Sequence, residues 1–329
     1  METVMNEIPH ALNGFEARFN EPLSSHTSFN IGGMADFWIE PRSIEELKRL
    51  LEISNDIGQV LYLIGGGNNI LVEDEGLRGI AIHLGDPFFR RIECLGEDQI
   101  RVGSGADLSQ LLSWTAEEGL SGLEFLAGIP GTLGGAIWMN AGRGIKVTEG
   151  RKRNDRESVI PHHIGDLVES VTLMRENGKI QIVGKEEIEF GYRETHLPNG
   201  IILEAVLQLC KGDPSAIREQ IRENLKTKIK TQDLYFPSAG CVFKNPLGGK
   251  RFSGELIEQV GLKGVRIGGA QVSERHANFI INRGSAKSED VLRLIRLVQH
   301  RVKEEHGIGL ELELKVFRSH RRAHGGVVQ

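Results

Sequence analysis

The stretch YLIGGGNNILV (residues 62–72) decides the fold. An apolar, strand-like run enters three glycines and two asparagines, and the chain leaves through ILVEDEGLRGIAI, which reads as strand again. A Rossmann turn would open a helix here and set a pyrophosphate on its N-terminus. Without that helix, a phosphate at this loop would be held by successive backbone N–H groups, a nest, with little help from a helix dipole. Read alone, the loop also fits a plain glycine-rich β-turn.

The flanks place the loop in a β-α-β opening. ADFWIEP (35–41) reads as a strand ended by Pro41. SIEELKRLLEISNDIG (43–58) reads as a helix whose Ser43 and Glu46 form a capping box. Further on, RIECLGEDQIRVGSG (91–105) predicts a hairpin and DLSQLLSWTAEEGL (107–120) a helix capped by Asp107. LVESVTLM, KIQIV and GIILEAVLQL predict strands. Asp213 and Pro214 open a charged helix. The last helix, SEDVLRLIRLVQHRVKEEHG (288–307), sets Val291, Leu294, Ile295, Val298 and Val302 on one face and stops at Gly307. IGLELELKVF predicts a final strand, and the basic tail RSHRRAHGGVVQ (318–329) is expected to be disordered.

A chain of 329 residues fits two or three domains, and 39% hydrophobic with 26% charged residues is an ordinary globular balance. The net charge of -5 gives no general pull toward nucleic acid or an anionic membrane. No apolar run approaches the roughly 18 residues of a membrane span. The start lacks a basic region followed by an apolar core, so no secretory leader is expected. Cys94, Cys210 and Cys241 are odd in number and far apart, which suggests neither a disulfide framework nor a metal site and fits a reducing cytoplasm. The 41 glycines are unusual because they cluster, and such clusters mark special backbone angles or close approach to a bulky partner.

A second glycine loop, AGIPGTLGGAIWMNAG (127–142), offers Gly128, Gly131, Gly134 and Gly135 for close approach and Ile129, Pro130 and Ile137 as an apolar wall. Two such loops suit a flat ring system joined to a pyrophosphate. FGYRETHLP (190–198) sets Arg193 beside Tyr192, and an arginine fork matches a carboxylate. PSAGCVFKNP (237–246) puts Cys241 ahead of Lys244 and Asn245. A lone cysteine is commonly small filler. GLELELKV offers Glu311 and Glu313 on one side of a strand.

From LSSHTSFNIGGMADFWIEP to LELELKVF, nearly the whole chain resembles the UDP-N-acetylenolpyruvoylglucosamine reductases. GIPGTLGGAIWMNAG, FGYR, SAGCVFKNP and GLKGVRIGGAQVSERHANFIIN carry the resemblance, and their joint occurrence is distinctive. It implies an α+β fold of α/β units. Two subdomains (1–85 and 86–212) form an FAD-binding cradle of the vanillyl-alcohol-oxidase (PCMH) type. A substrate-binding domain (213–307) and a C-terminal strand with a basic tail (308–329) follow. It also implies the reduction of an enolpyruvyl nucleotide sugar to UDP-N-acetylmuramate for peptidoglycan, by a cytoplasmic, monomeric enzyme with non-covalent FAD and NADPH as co-substrate.

The resemblance puts FAD against Gly65, Gly66, Gly67, Asn68 and Asn69 and against Ile129, Pro130, Gly134 and Gly135. It makes Arg193 and Glu313 the clamp on a developing enolate, and Cys241 the proton donor where relatives usually have serine. Tyr192, Lys244, Asn245 and His276 fall to the substrate, and no metal is implied. Glu313 would need a raised pKa from burial to face another anion. A free thiol near its usual value of about 8.5 would stay mostly protonated, though open to oxidation. Two departures stand out. A long polar stretch, about 143–165, replaces a short link, and reads as a solvated loop. ETHLPNGIILEAVL moves quickly to a strand, as in the shorter family type without an extra tyrosine loop. An oxidase of the same cradle that tethers FAD through His26 and a non-catalytic binding protein are the rival readings.

Overall fold

The computed structural model describes residues 11–142, 163–246, 251–319 and 326–328. The polar stretch therefore lies outside the described residues except at its end.

The opening unit runs β1 (Ala17–Pro22), β2 (Met34–Ile39), α1 (Ile44–Asp56), β3 (Val60–Leu63), β4 (Ile70–Val72) and β5 (Leu77–Ile82). Ser43 caps α1 by accepting the Glu46 N–H, while the Glu46 carboxylate takes the Arg42 N–H at 2.8 Å. The expected box thus closes one residue early. Leu47, Leu50 and Leu51 bury one face of α1.

The middle unit comprises β6 (Ile92–Cys94), β7 (Gln99–Gly103), α2 (Leu108–Glu117), β8 (Leu120–Ser121), α3 (Leu133–Trp138), β9 (Val168–Met174), β10 (Ile180–Gly184), β11 (Glu189–Gly191), β12 (Glu194–His196), β13 (Ile201–Gln208) and β14 (Cys210–Lys211). Its main sheet is antiparallel, in the order β10-β9-β13-β7-β6. The Asp107 carboxylate caps α2 through the Ser109 and Gln110 N–H groups. Helix α3 corrects the reading of 127–142 as loop throughout. Thr132 caps it, and Ile137 turns into the core instead of forming a ligand wall. Glycine content hid a helix whose apolar residues were placed by packing.

The last unit holds α4 (Pro214–Thr231), β15 (Ser238–Cys241), α5 (Ser253–Gln259), β16 (Arg266–Ile267), β17 (Ala270–Val272), β18 (Phe279–Asn282), α6 (Ser288–His306) and β19 (Lys315–Phe317). Helix α6 buries Val291, Leu294, Ile295, Val298 and Val302, and ends on Gly307 at φ 68°, as its sequence pattern requires. Strand β19 is shorter than expected, because residues 311–314 run beside residues 242–244, just past β15, with a single bridge between Leu312 and Phe243.

The tail is the second correction. Residues Gly326–Val328 form β20, which pairs parallel to β3 and gives the first sheet the order β1-β2-β5-β3-β20. The β-branched pair Val327–Val328 supplies the strand propensity that the basic surroundings masked.

The first and last units are tied at several points. Lys315–Phe317 pairs parallel with Ile70–Val72, so the exit of the first glycine loop and the C-terminal segment share a ladder. Ser28 Oγ donates to Ser238 O at 2.8 Å, and Asn282 Nδ2 donates to Phe29 O at 3.0 Å. The Asp74 carboxylate accepts the Ser288 N–H and Oγ–H at the start of α6. Asp74→Ala should therefore lower stability by about 1 kcal/mol, the usual worth of a helix cap. A urea midpoint equal to wild type would show that this cap carries no weight.

Candidate active site

A cavity of about 840 Å³ opens between the three units. One wall is made of backbone. The loop of Gly65, Gly66, Gly67, Asn68 and Asn69 packs beside the one bearing Ile129, Pro130, Gly134 and Gly135, so all nine positions expected at a cofactor line one space. Bare backbone is obligatory at the loop itself. A Cβ on Gly67, at φ 66°, would lie 2.0 Å from His26 O, and one on Gly66 would lie 2.8 Å from Gly131 Cα. The loops pack on their neighbours so closely that no side chain fits. Ser104, which also lines the cavity, has a buried Oγ with no hydrogen-bond partner among the described residues. A buried hydroxyl left unpaired is costly, so a ligand polar atom is the natural partner. Apolar Ile129 and Pro130 with a nearby orphaned hydroxyl and bare backbone amides fit a large ligand having flat rings and an anionic link.

The same cavity is lined by the polar side chains singled out in the sequence. Gly191 and Glu194 pair directly, which leaves Tyr192 and Arg193 as a two-residue hairpin turn with Arg193 at φ 60°. A non-glycine residue in that region is held there by its surroundings. Three contacts do this: Nη2 donates to Gly142 O at 2.9 Å, Nε lies 3.0 Å from Glu313 Oε1, and the guanidinium sits 5.4 Å from the Tyr192 ring centre. Arg193 Nη1 is buried and lacks a hydrogen-bond partner among the described residues. A charged donor left over in a cavity wall is ready for a second anion.

Glu313 is placed from two sides. Its N–H donates to Val242 O at 2.9 Å, and its carbonyl accepts from Asn69 Nδ2 at 3.2 Å. Burial pushes its carboxyl above the usual range, and the charges of Arg193, Lys244 and Lys315 offset only part of that. The direction agrees with the requirement that Glu313 be able to keep a proton beside another anion.

Cys241 also lines the cavity, at the end of β15. Burial, then the nearby Glu313 charge, pushes the thiol up to about 12, against the pull of Arg193. The ordinary value expected from sequence is therefore corrected. With so little thiolate, Cys241 is protected from oxidants, whereas Cys94 and Cys210 are exposed.

The positions expected at the substrate divide. Tyr192, Asn245 and His276 line the cavity. The Asn245 N–H donates to Tyr192 Oη at 3.4 Å, and its side-chain oxygen accepts the Ser253 N–H at 3.0 Å. Burial lowers the His276 pKa, and its Nδ1 accepts the Asn278 N–H, so the neutral ring carries its proton on Nε2. Lys244 differs. Its Nζ lies 2.7 Å from Glu311 and 3.5 Å from Glu194, and it is absent from the cavity wall. His26 is likewise elsewhere: it stacks on Trp38 at 3.8 Å and bonds Glu21, so it is not placed as a flavin tether.

Sequence reasoning missed Ser104, Thr132, Asn140 and Asn278. Asn140 Nδ2 donates to Gly191 O and Asn140 Oδ1 accepts the Gly165 N–H, which pins the Arg193 hairpin. Asn278 bonds both main-chain groups of Phe243 and the Cys241 thiol. The one available signal was that NAG and HANF embed short polar residues among apolar ones. Among the described residues no group of His, Cys, Asp or Glu could hold a metal, and no helix is long and apolar enough to cross a membrane.

Comparison with known proteins agrees with this geometry. A family model described as FAD binding domain matches residues 35–154, and one described as UDP-N-acetylenolpyruvoylglucosamine reductase, C-terminal domain, matches 217–317. A UDP-N-acetylenolpyruvoylglucosamine reductase of Geotalea uraniireducens is 40% identical over 93% of this chain and 95% of its own. One from Moorella thermoacetica is 42% identical over 91% and 92%. The crystal structure of UDP-N-acetylenolpyruvylglucosamine reductase from Thermus caldophilus aligns with a TM-score of 0.74 at 35% identity, covering 92% of this chain and 99% of that one.

Two outcomes follow from the cavity. Gly67→Ala should leave a protein that purifies without flavin, measured as bound flavin per chain; full flavin content would refute the packing argument. Because the folded state holds the Glu313 proton more tightly than the unfolded chain, this residue costs stability as pH rises above its ordinary value of 4.5. The stability of wild type relative to Glu313→Gln should therefore fall with rising pH just above that value. A difference that does not change with pH would contradict the raised pKa.

Proposed function

The chain belongs to the UDP-N-acetylenolpyruvoylglucosamine reductase family, and from that premise we propose how its own residues carry out the reaction. The activity is the FAD-dependent, NADPH-driven reduction of the enolpyruvyl ether of UDP-N-acetylglucosamine to UDP-N-acetylmuramate, a step in peptidoglycan precursor synthesis. The glycine loops and Ser104 would hold FAD non-covalently, and the bound flavin would supply the hydride chemistry that couples NADPH oxidation to reduction of the substrate.

The remaining work falls to Arg193, Glu313 and Cys241. Hydride addition to an enol ether conjugated with a carboxylate builds negative charge on the substrate as an enolate. The free Nη1 of Arg193 is the charged donor for that carboxylate, and Glu313 orients the guanidinium through its Nε. The raised Glu313 pKa lets it share the space with the anion, protonated when necessary. Cys241 then gives its proton to the carbon next to the carboxylate. Its raised pKa keeps it protonated at working pH, and the charge of Arg193 is the main one stabilising the thiolate left behind. Tyr192, Asn245 and His276 are proposed to hold the nucleotide-sugar portion.

One observation carries the reading. Arg193, Cys241 and Glu313, from three separate segments, line the same cavity as the two glycine loops. The enzyme is proposed to act as a monomer. A cytoplasmic location follows from the substrate, a cytoplasmic nucleotide sugar. The units are proposed to divide near residues 85, 212 and 307.

The test uses the purified protein's visible spectrum. NADPH should bleach the flavin, and the enolpyruvyl nucleotide sugar should restore the colour; a flavin-free protein sinks the reading. Cys241→Ser should keep substantial turnover. Cys241→Ala should still bleach with NADPH yet lose about a hundredfold in recolouring, the usual worth of a positioned acid. Wild-type recolouring in the alanine variant would remove Cys241 from the mechanism.

A further inference from the structure

We propose that Lys244 is a positioning residue that fixes the Arg193–Glu313 pair from outside the cavity, by bonding Glu194 and Glu311 to each other through its ammonium group. This rests on the functional reading above, since it takes that pair as the working clamp.

The geometry follows from an extended chain. Side chains alternate across it, so Cys241, Phe243 and Asn245 face the cavity while Val242 and Lys244 face away. Lys244 thus leaves the cavity on the far side of the segment that presents the thiol. There its Nζ is 2.7 Å from Glu311 Oε1 and 3.5 Å from Glu194 Oε2, and its side chain is only 13% exposed. Glu194 adjoins Arg193 on the hairpin, and Glu311 lies two residues before Glu313. The outer triad Glu194–Lys244–Glu311 therefore spans the same seam as the inner pair.

The two sides of the seam are joined differently. Residues 311–313 are zipped to 242–244 by main-chain bonds: Lys244 N–H to Glu311 O and Glu313 N–H to Val242 O, each 2.9 Å. The hairpin carrying Arg193 meets that segment through side chains, namely Arg193–Glu313, Tyr192–Asn245 and Lys244–Glu194. Placing a left-handed Arg193 to a fraction of an ångström therefore depends on few contacts, and Lys244 supplies one of them. Burial acts most strongly on the ammonium and lowers its pKa, but Glu311 and Glu194 outweigh it, so Lys244 stays charged. Glu194 and Glu311 are largely exposed, so the triad adds little stability; its contribution is to geometry.

The alternative is direct contact with the substrate, and holoenzyme kinetics separate the two. Three variants are compared: Lys244→Met, Lys244→Arg, and the double variant Glu194→Gln/Glu311→Gln. Rates of NADPH bleaching and of recolouring are measured across substrate concentrations. For Lys244→Met we expect bleaching within about twofold of wild type, recolouring at saturating substrate slowed about tenfold, and a half-saturating concentration moved less than about threefold. The double variant should slow recolouring similarly although its lysine is intact, and Lys244→Arg should restore most of the rate. A raised half-saturating concentration with the saturated rate preserved in Lys244→Met overturns the proposal, as does a double variant with wild-type recolouring. If wild type itself fails to bleach or recolour, the functional reading falls and takes this inference with it.

Discussion

The structure depends on the parallel pairing of Lys315–Phe317 with Ile70–Val72. That ladder carries the exit of the first glycine loop and the segment bearing Glu313, and the Asn69 amide bonds the Glu313 carbonyl just beside it. The first glycine loop and the Glu313 carboxylate are therefore not separately adjustable. The Val242–Glu313 main-chain bond extends the same connection to the strand that presents Cys241. These three parts share one hydrogen-bonded frame, and the Arg193 hairpin joins it from the middle unit, largely through side chains.

Polarity is distributed with the same logic. One wall of the cavity offers bare backbone and apolar surface. The other concentrates charge where burial makes each group expensive. Glu313 and Cys241 are both pushed toward their protonated forms, while Arg193 keeps a donor unspent. A site prepared in this way is short of negative charge until a substrate carboxylate arrives, and that is the moment at which its donors matter.

Much of this was legible in the sequence where the controlling interactions are local. Asp107, Asp213 and Gly307 mark helix ends through contacts within a turn, and the α6 stripe needs only helical periodicity. The glycine loops were legible because nothing larger fits. What escaped depends on distant partners. Strand β20 exists because β3 has a free edge, and the sequence of the tail shows only its basic residues. Helix α3 is hidden by its glycines, and the residues that hold Arg193, such as Asn140, reveal their role only once the hairpin is brought to them. Lys244 was assigned by motif to the substrate, yet strand alternation, which the motif ignores, turns it away.

The separation of Asn69 from Glu313 by 244 positions has a consequence for biogenesis. During synthesis the glycine loop emerges long before the strand that completes its ladder, while the first unit can already begin to fold. For that interval the nascent chain presents a half-made cradle with an unpaired strand, β4, and no carboxylate facing it. The late arrival of residues 313–317 would then act as a checkpoint. A chain stalled or nicked ahead of them lacks both Glu313 and the partner strand of β4.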